Sequence, residues 1–330
     1  MTRFLLLRLG ALLGLLLVLS LLLFSLQEIS GADPVDATMQ KASAEAKDAK
    51  RAELGLDDPA VTRYVRFVGD LMVLDLGTSF RTTHPVLSDI RTALPPTIEL
   101  VTVAMLLALV LALVFAVSSV LRWPGSGLFR GLLFLGSTTP TFMLGIFGLL
   151  LFYQTLGWLP ATGSVSDPDA VPGGTGFVLL DSLTHARLAL FGDALAHLVM
   201  PAVALAIGPA LAVGRILRSS IETTLDSDFI RTARAKGLPE RRVLLRHVLR
   251  NSVNGALSMA GLHLGLMFAG VLVTESVFSR PGIGSYLFES LGSSDFPAVV
   301  GVTFVLAAVY IISNTVVDIL QGVADPRITV

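Results

Sequence analysis

Residues Ile98–Leu121 read IELVTVAMLLALVLALVFAVSSVL, and after Glu99 the run holds no charged residue. As a helix, such a run is long enough to cross the roughly 30 Å hydrocarbon core of a bilayer. Backbone N–H and C=O groups in hydrocarbon must pair within their own segment, so the run reads as helix. The pattern recurs at Leu9–Leu26, Gly131–Tyr153 (interrupted by Pro140), Ala194–Ile216, Val253–Phe278 and Phe296–Leu320. That makes about six spans and an all-α polytopic membrane protein. Composition points the same way. Of 330 residues, 53% are hydrophobic and only 15% charged, against roughly a quarter charged in soluble domains.

Three regions follow. Residues 1–26 form an N-terminal transmembrane helix, 27–97 an extracytoplasmic segment, and 98–330 a core of five spans. Arg3 and Arg8 precede the first apolar run and Ser30-Gly-Ala32 is small, as in a signal peptide. The run exceeds the usual apolar length of about 7–15 residues, however, so it reads as an uncleaved anchor. In the second region, Thr38–Leu54 is rich in alanine and lysine and reads as helix. Another helix begins at Asp58-Pro59, with Val61, Tyr64, Val65, Val68 and Leu71 on one stripe. Gly163–Gly176, rich in Gly, Pro, Asp and Ser, reads as loop.

Short-loop Lys and Arg set orientation. Arg3, Arg8, Arg122, Arg130, Arg327 and nine basic residues between Arg215 and Arg250 fall on one side, which is then cytoplasmic together with both termini.

Several chemistries are excluded. A net charge of -1 argues against nucleic-acid binding. The chain has no cysteine, so disulfides and thiolate sites are absent. No two of its five histidines lie at helical metal-ligand spacing. It contains no G-x-x-x-x-G-K-[ST], no G-x-S-x-G and no H-E-x-x-H. Ionisable or helix-breaking residues within the spans are candidates for a solute pathway, here Pro140, His263 and Glu275. The bland alternatives are a kink at Pro140, a hydrogen-bonded core His263, and a Glu275 bonded to nearby backbone or to a partner subunit near the outer surface. An ion-driven carrier needs midplane carboxylates or broken helices. Only the Pro140 region offers a break, and no carboxylate accompanies it, so the energy for transport is expected from outside this chain.

Between the fourth and fifth spans lies LDSDFIRTARAKGLPERRVLLRHVLRNSVNGAL, Leu225–Leu257. Asp228 suits the positive end of a short helix dipole. Phe229, Ile230 and Ala233 form an apolar stripe flanked by Arg231 and Arg234. Gly237 suits the left-handed residue that ends a helix, and Pro239 the first turn of the next. Val243, Leu244, His247 and Val248 make a second apolar face, with Arg241, Arg242 and Arg246 around it. An exposed apolar stripe with a basic rim is the pattern of a protein contact.

The chain resembles the permease subunits of bacterial ABC importers of the dipeptide/oligopeptide/nickel type, in particular the first of the two permeases. The resemblance rests on Arg3-Phe-Leu-Leu-Leu-Arg8, Gly31-Ala-Asp-Pro34, Leu74-Asp-Leu-Gly-Thr-Ser79, Leu94-Pro-Pro-Thr97 and Pro140-Thr-Phe142. Gly157-Trp-Leu-Pro-Ala161, His197-Leu-Val-Met-Pro201, Asp228–Gly237, Val277-Phe-Ser-Arg-Pro-Gly-Ile-Gly284 and Asp325-Pro-Arg327 follow in the same order.

The resemblance implies a type I ABC importer permease in the bacterial cytoplasmic membrane. It further implies a second homologous permease, two ABC ATPase subunits that hold ATP and Mg, and an extracytoplasmic binding protein that delivers substrate. The chain itself would bind no cofactor and catalyse nothing. Residues 219–252 would be the cytoplasmic "EAA" coupling loop, with Asp228, Phe229, Ile230, Arg231, Ala233, Arg234, Ala235, Lys236, Gly237, Leu238, Pro239 and Arg241 at the ATPase contact. Ala233 and Ala235 would pack closely in the ATPase groove, and Arg234 and Arg241 would reach its rim. Members are associated with dipeptides, longer peptides, nickel and glutathione, and peptides are the expected substrate. Two departures stand out. Arg231 replaces the glutamate of the wider superfamily, and Asn254-Gly255 replaces a proline after Arg250-Asn251, which would loosen the junction into the fifth span. The competing readings are an ion-gradient carrier, which should work without an ATPase, and a scaffold or receptor that moves no solute.

Overall fold

The computed structural model describes residues 2–30, 35, 42–121 and 124–324. Gly31–Pro34, Arg122 and Asp325–Arg327, used above, lie outside them, as do the side chains of Arg3 and Arg8. Among the described residues there is no β-strand, only an isolated bridge between Thr78 and Pro85. The helices are α1 (Thr2–Ser30), α2 (Ala44–Leu54), α3 (Ala60–Met72), α4 (Val86–Leu121), α5 (Ser126–Thr138) and α6 (Thr141–Thr155). They continue as α7 (Val178–Thr184), α8 (Leu188–Leu225), α9 (Asp228–Ala235), α10 (Glu240–Val277), α11 (Ile283–Gly292) and α12 (Phe296–Ala324).

Five helices (α1, α4, α8, α10 and α12) are each long and apolar enough to cross a membrane, and α5 with α6 makes a sixth crossing if the pair is one span. That pair is bent by 116°. Pro140 therefore breaks the third apolar run rather than kinking it. Proline has no N–H to donate and its ring opposes the carbonyl four residues back. It also pushes the preceding residue out of the helical region, and Thr139 is extended accordingly.

The helices outrun the apolar stretches that announce them. α4 starts at Val86 instead of Ile98, and α10 at Glu240 instead of Val253. Pro95 and Pro96 sit inside α4, Pro201 and Pro209 inside α8. A break there would leave more backbone groups unpaired than the prolines remove. Asn254-Gly255 lies within unbroken α10, so that junction is not loosened. Gly255 lets α10 approach α8, since a Cβ there would stand 3.2 Å from Ile216 Cγ2.

The chain divides into two compact units, Met1–Leu94 with Ser285–Val309 and Pro95–Gly284 with Tyr310–Val330. In the first, α3 lies on α1. Phe24 meets Tyr64 edge-on at 5.4 Å and Phe67 at 5.9 Å. The Tyr64 hydroxyl bonds Ser20 Oγ at 2.9 Å, and Arg63 pairs with Glu28. Tyr64, Val68 and Leu71 of the expected stripe are half-buried, whereas Val61 and Val65 are exposed. The contact is narrower than the stripe because aromatic side chains, Phe67 included, make it. α2 begins at Ala44, where Ser43 Oγ accepts the Ala46 N–H at 3.3 Å. Residues 38–41 of the longer expected helix lie outside the described ones. The segment before α4 is tied down by carboxylates. Ser79 Oγ donates to Asp295, Thr82 Oγ1 to Asp89 at 2.5 Å, and the Tyr286 hydroxyl to Asp89 at 3.1 Å. Burial, then the charge of Asp89, raises the Tyr286 pKa well above its ordinary value.

In the second unit α8 is the central helix, packed by α5, α6, α7 and α10. Ala108 and Phe115 of α4, Leu133 of α5 and Ala206, Ala210 and Leu211 of α8 form one buried cluster. Small residues let backbones approach where no hydrophobic force separates protein from lipid. Residues 163–176 are largely irregular, as read, and are gathered by Asp181. It accepts from Thr175 N, Thr175 Oγ1 and Gly176 N at 3.0, 2.9 and 3.0 Å. Burial alone would raise the Asp181 pKa. The three hydrogen bonds outweigh it and hold the carboxyl below its usual range.

A Cβ on Gly214 would stand 2.9 Å from Phe115 Cδ1 and 3.2 Å from the Ala112 carbonyl oxygen, whereas one on Gly208 would meet nothing within 4 Å. Gly214→Val should therefore destabilise the chain by about 1–3 kcal/mol through overpacking. Gly208→Val should cost much less. Thermal melting of both variants in one detergent reads the difference.

Candidate functional site

The first candidate is the loop between α8 and α10. Ser227 takes an extended conformation and starts α9. Arg231 reaches back to Asp228 at 3.2 Å, three residues away on the same face. α9 ends where Lys236 N bonds the Thr232 carbonyl at 3.0 Å and Gly237 N the Arg234 carbonyl at 2.9 Å. Gly237 has φ +75°, a conformation that a side chain strains. Pro239 then opens α10, and the Arg242 N–H returns to the Pro239 carbonyl at 2.8 Å. The helix–glycine–proline–helix reading of Asp228–Arg241 is thus the geometry found.

The expected apolar stripe points the other way. Ile230 is 0% and Ala233 8% exposed. Both belong to α9, which packs on the Val243–Val248 turns of α10, where Val243 and Val248 are fully buried. An eight-residue helix is too short to hold itself together in water, so it spends its apolar face on its own chain. Ala233 is therefore not free for close packing against a partner, while Ala235 is exposed. Arg234 is engaged as well, bonding Glu240 through Nη2 at 2.6 Å and Nε at 3.2 Å across the Gly237 turn. That hydrogen bond, then the Glu240 charge, keeps its guanidinium pKa above the ordinary value.

Left outward are Phe229 (48% exposed) and Leu245 (56%), together with Arg231, Lys236, Arg241 and Arg246. Leu238 is half-buried. Leu245 escapes a reading by 3.6-residue periodicity because Val243–Val248 winds as a wider π-helical turn. That turn advances more residues per revolution and rotates the following side chains. Ser252 Oγ bonds Thr224 Oγ1 at 3.1 Å, joining the end of α8 to α10 just beyond the loop.

The second candidate set does not assemble. Pro140 is exposed at the α5–α6 break, and His263 is half-buried in α10. Glu275 lies twelve residues beyond His263, about 18 Å along the helix axis. Glu275 is 0% exposed and its carboxylate is committed to the chain. It accepts from Thr97 Oγ1 at 2.6 Å and from the Gly284 N–H at 2.8 Å. Thr97 Oγ1 in turn accepts the Ile283 N–H at 2.8 Å. A Cβ on Gly282 would come within 2.1 Å of the same carboxylate, and one on Gly284 within 2.8 Å. The glycines of Pro281-Gly-Ile-Gly284 are therefore the space Glu275 occupies.

Two further members of this node, Glu99 and Arg280, are beyond the reach of sequence reasoning. Glu99 accepts the Leu179 N–H at 2.7 Å and faces Arg280 Nη2 at 3.4 Å. Arg280 is 1% exposed, and its Nε and Nη1 have no hydrogen-bond partner among the described residues. Burial lowers the Arg280 pKa, against the opposing pull of Glu99 and Glu275. A pair of charges out of water gains from attraction and loses to desolvation, so the node works as a positional lock for the turn after α10. No group of three or more His, Cys, Asp or Glu among the described residues is placed to hold a metal ion.

The lock can be tested by isosteric change. Thr97→Val keeps shape but strands the buried Ile283 N–H, and should cost about 1–3 kcal/mol. Thr97→Ser keeps the oxygen and should stay within about 1 kcal/mol of the parent chain. Urea or thermal unfolding in detergent measures both.

Residues 104–330 match the family described as "Binding-protein-dependent transport system inner membrane component", and residues 1–101 match its N-terminal region family. The chain is 36% identical over 333 residues to a di/tripeptide transport system permease protein of Pseudomonas aeruginosa, covering 99% of each. It is 40% identical over 282 residues to a probable D,D-dipeptide transport system permease protein of Escherichia coli, covering 84% of this chain and 83% of that one. A dipeptide transport system permease protein of the same organism is 34% identical over 338 residues, covering 99% of each.

Proposed function

The chain belongs to the binding-protein-dependent transport system inner membrane components and is a multi-pass permease of that membrane; from that premise we propose that it is one of two permease subunits of an ABC importer of di- or oligopeptides. A second, homologous permease completes the pathway. An extracytoplasmic binding protein delivers the peptide, and two ATPase subunits bind ATP and Mg and hydrolyse the nucleotide. This chain carries no catalytic activity and no cofactor. Both termini and the α8–α10 loop face the cytoplasm, in line with the basic residues around that loop.

The observation that carries this reading is the α9–Gly237–α10 hairpin. α10 is at once the second arm of the hairpin and a membrane span, running from Glu240 to Val277. A push on the hairpin is thereby a push on a span. ATPase closure on Phe229, Leu245 and the surrounding Arg and Lys side chains would move α10 as a lever, with Ser252–Thr224 carrying the motion to α8. The arrangement supports alternating access powered from outside the chain. The peptide substrate rests on the names of the three relatives.

Gly237→Val places a β-branched residue at φ +75°, with no steric neighbour to blame for any loss. The backbone strain is on the order of 1–3 kcal/mol. The variant should insert at normal level, lose copurifying ATPase and reduce uptake of a labelled dipeptide roughly tenfold or more. Gly237→Asn, which tolerates this conformation, should retain most uptake. Full uptake by Gly237→Val would overturn the coupling role. Parent-chain uptake that stops when the proton gradient is collapsed at constant ATP would favour an ion-driven carrier.

A further inference from the structure

In the second unit, the ends of α4 and α8 and the start of α5 line an open groove of about 540 Å³. Phe115, Arg130, Phe134, Leu211, Arg215 and Arg218 line it. A neighbouring groove of about 460 Å³ shares Arg130, Arg218 and Glu222. Glu222 falls at the start of residues 219–252, but neither the Asp228–Arg241 hairpin nor the Glu275 node uses any of these residues.

Three guanidiniums and one carboxylate, that of Glu222, line the larger groove. Arg218 is paired with Glu222 at 2.8 Å. Arg215 stands over the Phe134 ring at 5.5 Å, and Arg130 Nε donates to its own helix at the Ser126 carbonyl, 3.1 Å away. Among the described residues neither Arg130 nor Arg215 has a carboxylate partner. The groove therefore keeps a positive charge of two after the one pair is discounted. Such a charge beside apolar walls attracts an anion more strongly than it would in open water.

Polarity also runs in a fixed order along the walls. On α8, Leu211 comes first, then Arg215, Arg218 and Glu222, three residues from the helix end. On α4, Phe115 precedes Ser119 and Val120, close to the end at Leu121. On α5 the order is mirrored, with Arg130 nearer the helix start and Phe134 farther in. From Leu211 to Glu222 the wall is roughly 16 Å long. It runs from aromatic and aliphatic, farther from the helix ends, to basic close to them. A phospholipid has that same order, from acyl chain to phosphate, over a comparable length.

We propose that this groove is a binding site for an anionic phospholipid. Arg130 and Arg215 hold its phosphate, and Phe115, Phe134 and Leu211 cover the first methylenes of a chain. Guanidinium suits phosphate because its N–H groups form a planar fork. Basic pockets between spans on the positively charged side of a membrane protein recognise anionic headgroups in this way. A free phosphate would use the arginines but leave the apolar wall uncovered.

The test is native mass spectrometry of the full chain released from detergent. It is titrated separately with phosphatidylglycerol, phosphatidylcholine and inorganic phosphate. Phosphatidylglycerol should bind at least several-fold more tightly than phosphatidylcholine, with inorganic phosphate weaker than either. The double variant Arg130→Gln/Arg215→Gln should lose roughly tenfold or more of the phosphatidylglycerol affinity, in line with the contribution of each basic residue near an anionic headgroup. Arg130→Lys/Arg215→Lys should retain most of it, and Arg246→Gln on the coupling loop should leave it unchanged. Equal affinity for the two lipids in the parent chain overturns the proposal, whatever the folding of the variants. So does undiminished binding by the glutamine pair. Phosphate binding as tight as that of the lipid assigns the site to a free anion and overturns the lipid. Peptide uptake enters none of these readouts, so failure here leaves the transport reading untouched.

Discussion

In hydrocarbon there is no water to satisfy a backbone amide, and the architecture of this chain depends on that constraint. It accounts for the absence of strands among the described residues and for helices of 36 and 38 residues that continue through internal prolines. It also explains where helices do stop. Each well-defined break has a substitute for the lost ladder. Pro140 needs no donor partner, Gly237 takes a backbone conformation that closes the α9 end on its own carbonyls, and residues 280–284 borrow a carboxylate and a hydroxyl.

The Glu275 node shows how much a turn between spans demands. Ile283 and Gly284 present N–H groups where no helix receives them. Thr97 and Glu275 accept these, and two glycines make room for the acceptor. Arg280 and Glu99 add a buried charge pair whose attraction offsets part of its own desolvation. Its gain lies in position more than in stability, since it holds the end of α10 against α4. A turn fixed at that end and a hairpin at the other hold α10 at both ends of its length, as the proposed lever would require.

At the hairpin, the chain buries Ile230, Ala233, Val243 and Val248 against itself and sets Arg234 against Glu240. What remains outward is a preformed shape, with Phe229 and Leu245 as apolar points in a basic field. Preorganisation of this kind lowers the ordering cost of association. In the proposed importer it would also let force pass through the hairpin without deforming it.

The class of fold, the approximate spans, the break near Pro140 and the helix–glycine–proline–helix loop are legible in the sequence. Each depends on local physics: hydrocarbon length, proline's missing donor, glycine's left-handed freedom. The start of α4 at Val86 and the continuation of the Pro239 helix into the fifth span are not legible, because polar residues continue a helix wherever the packed chain satisfies them, and hydropathy sees only the apolar part. Nor is the role of Leu245, whose facing depends on a π-helical turn that no 3.6-residue period encodes, nor that of Ile230, which is buried because α9 packs on that turn. Glu275 is visible as an intramembrane acid, but its partners Thr97 and Gly284 are distant or beyond the helix end. Arg280 meets Glu99 only because α4 and the turn after α10 are brought together. Tertiary structure alone decides which buried polar groups meet, since pairing a charge out of water requires a particular partner at a particular distance, and sequence spacing does not state it.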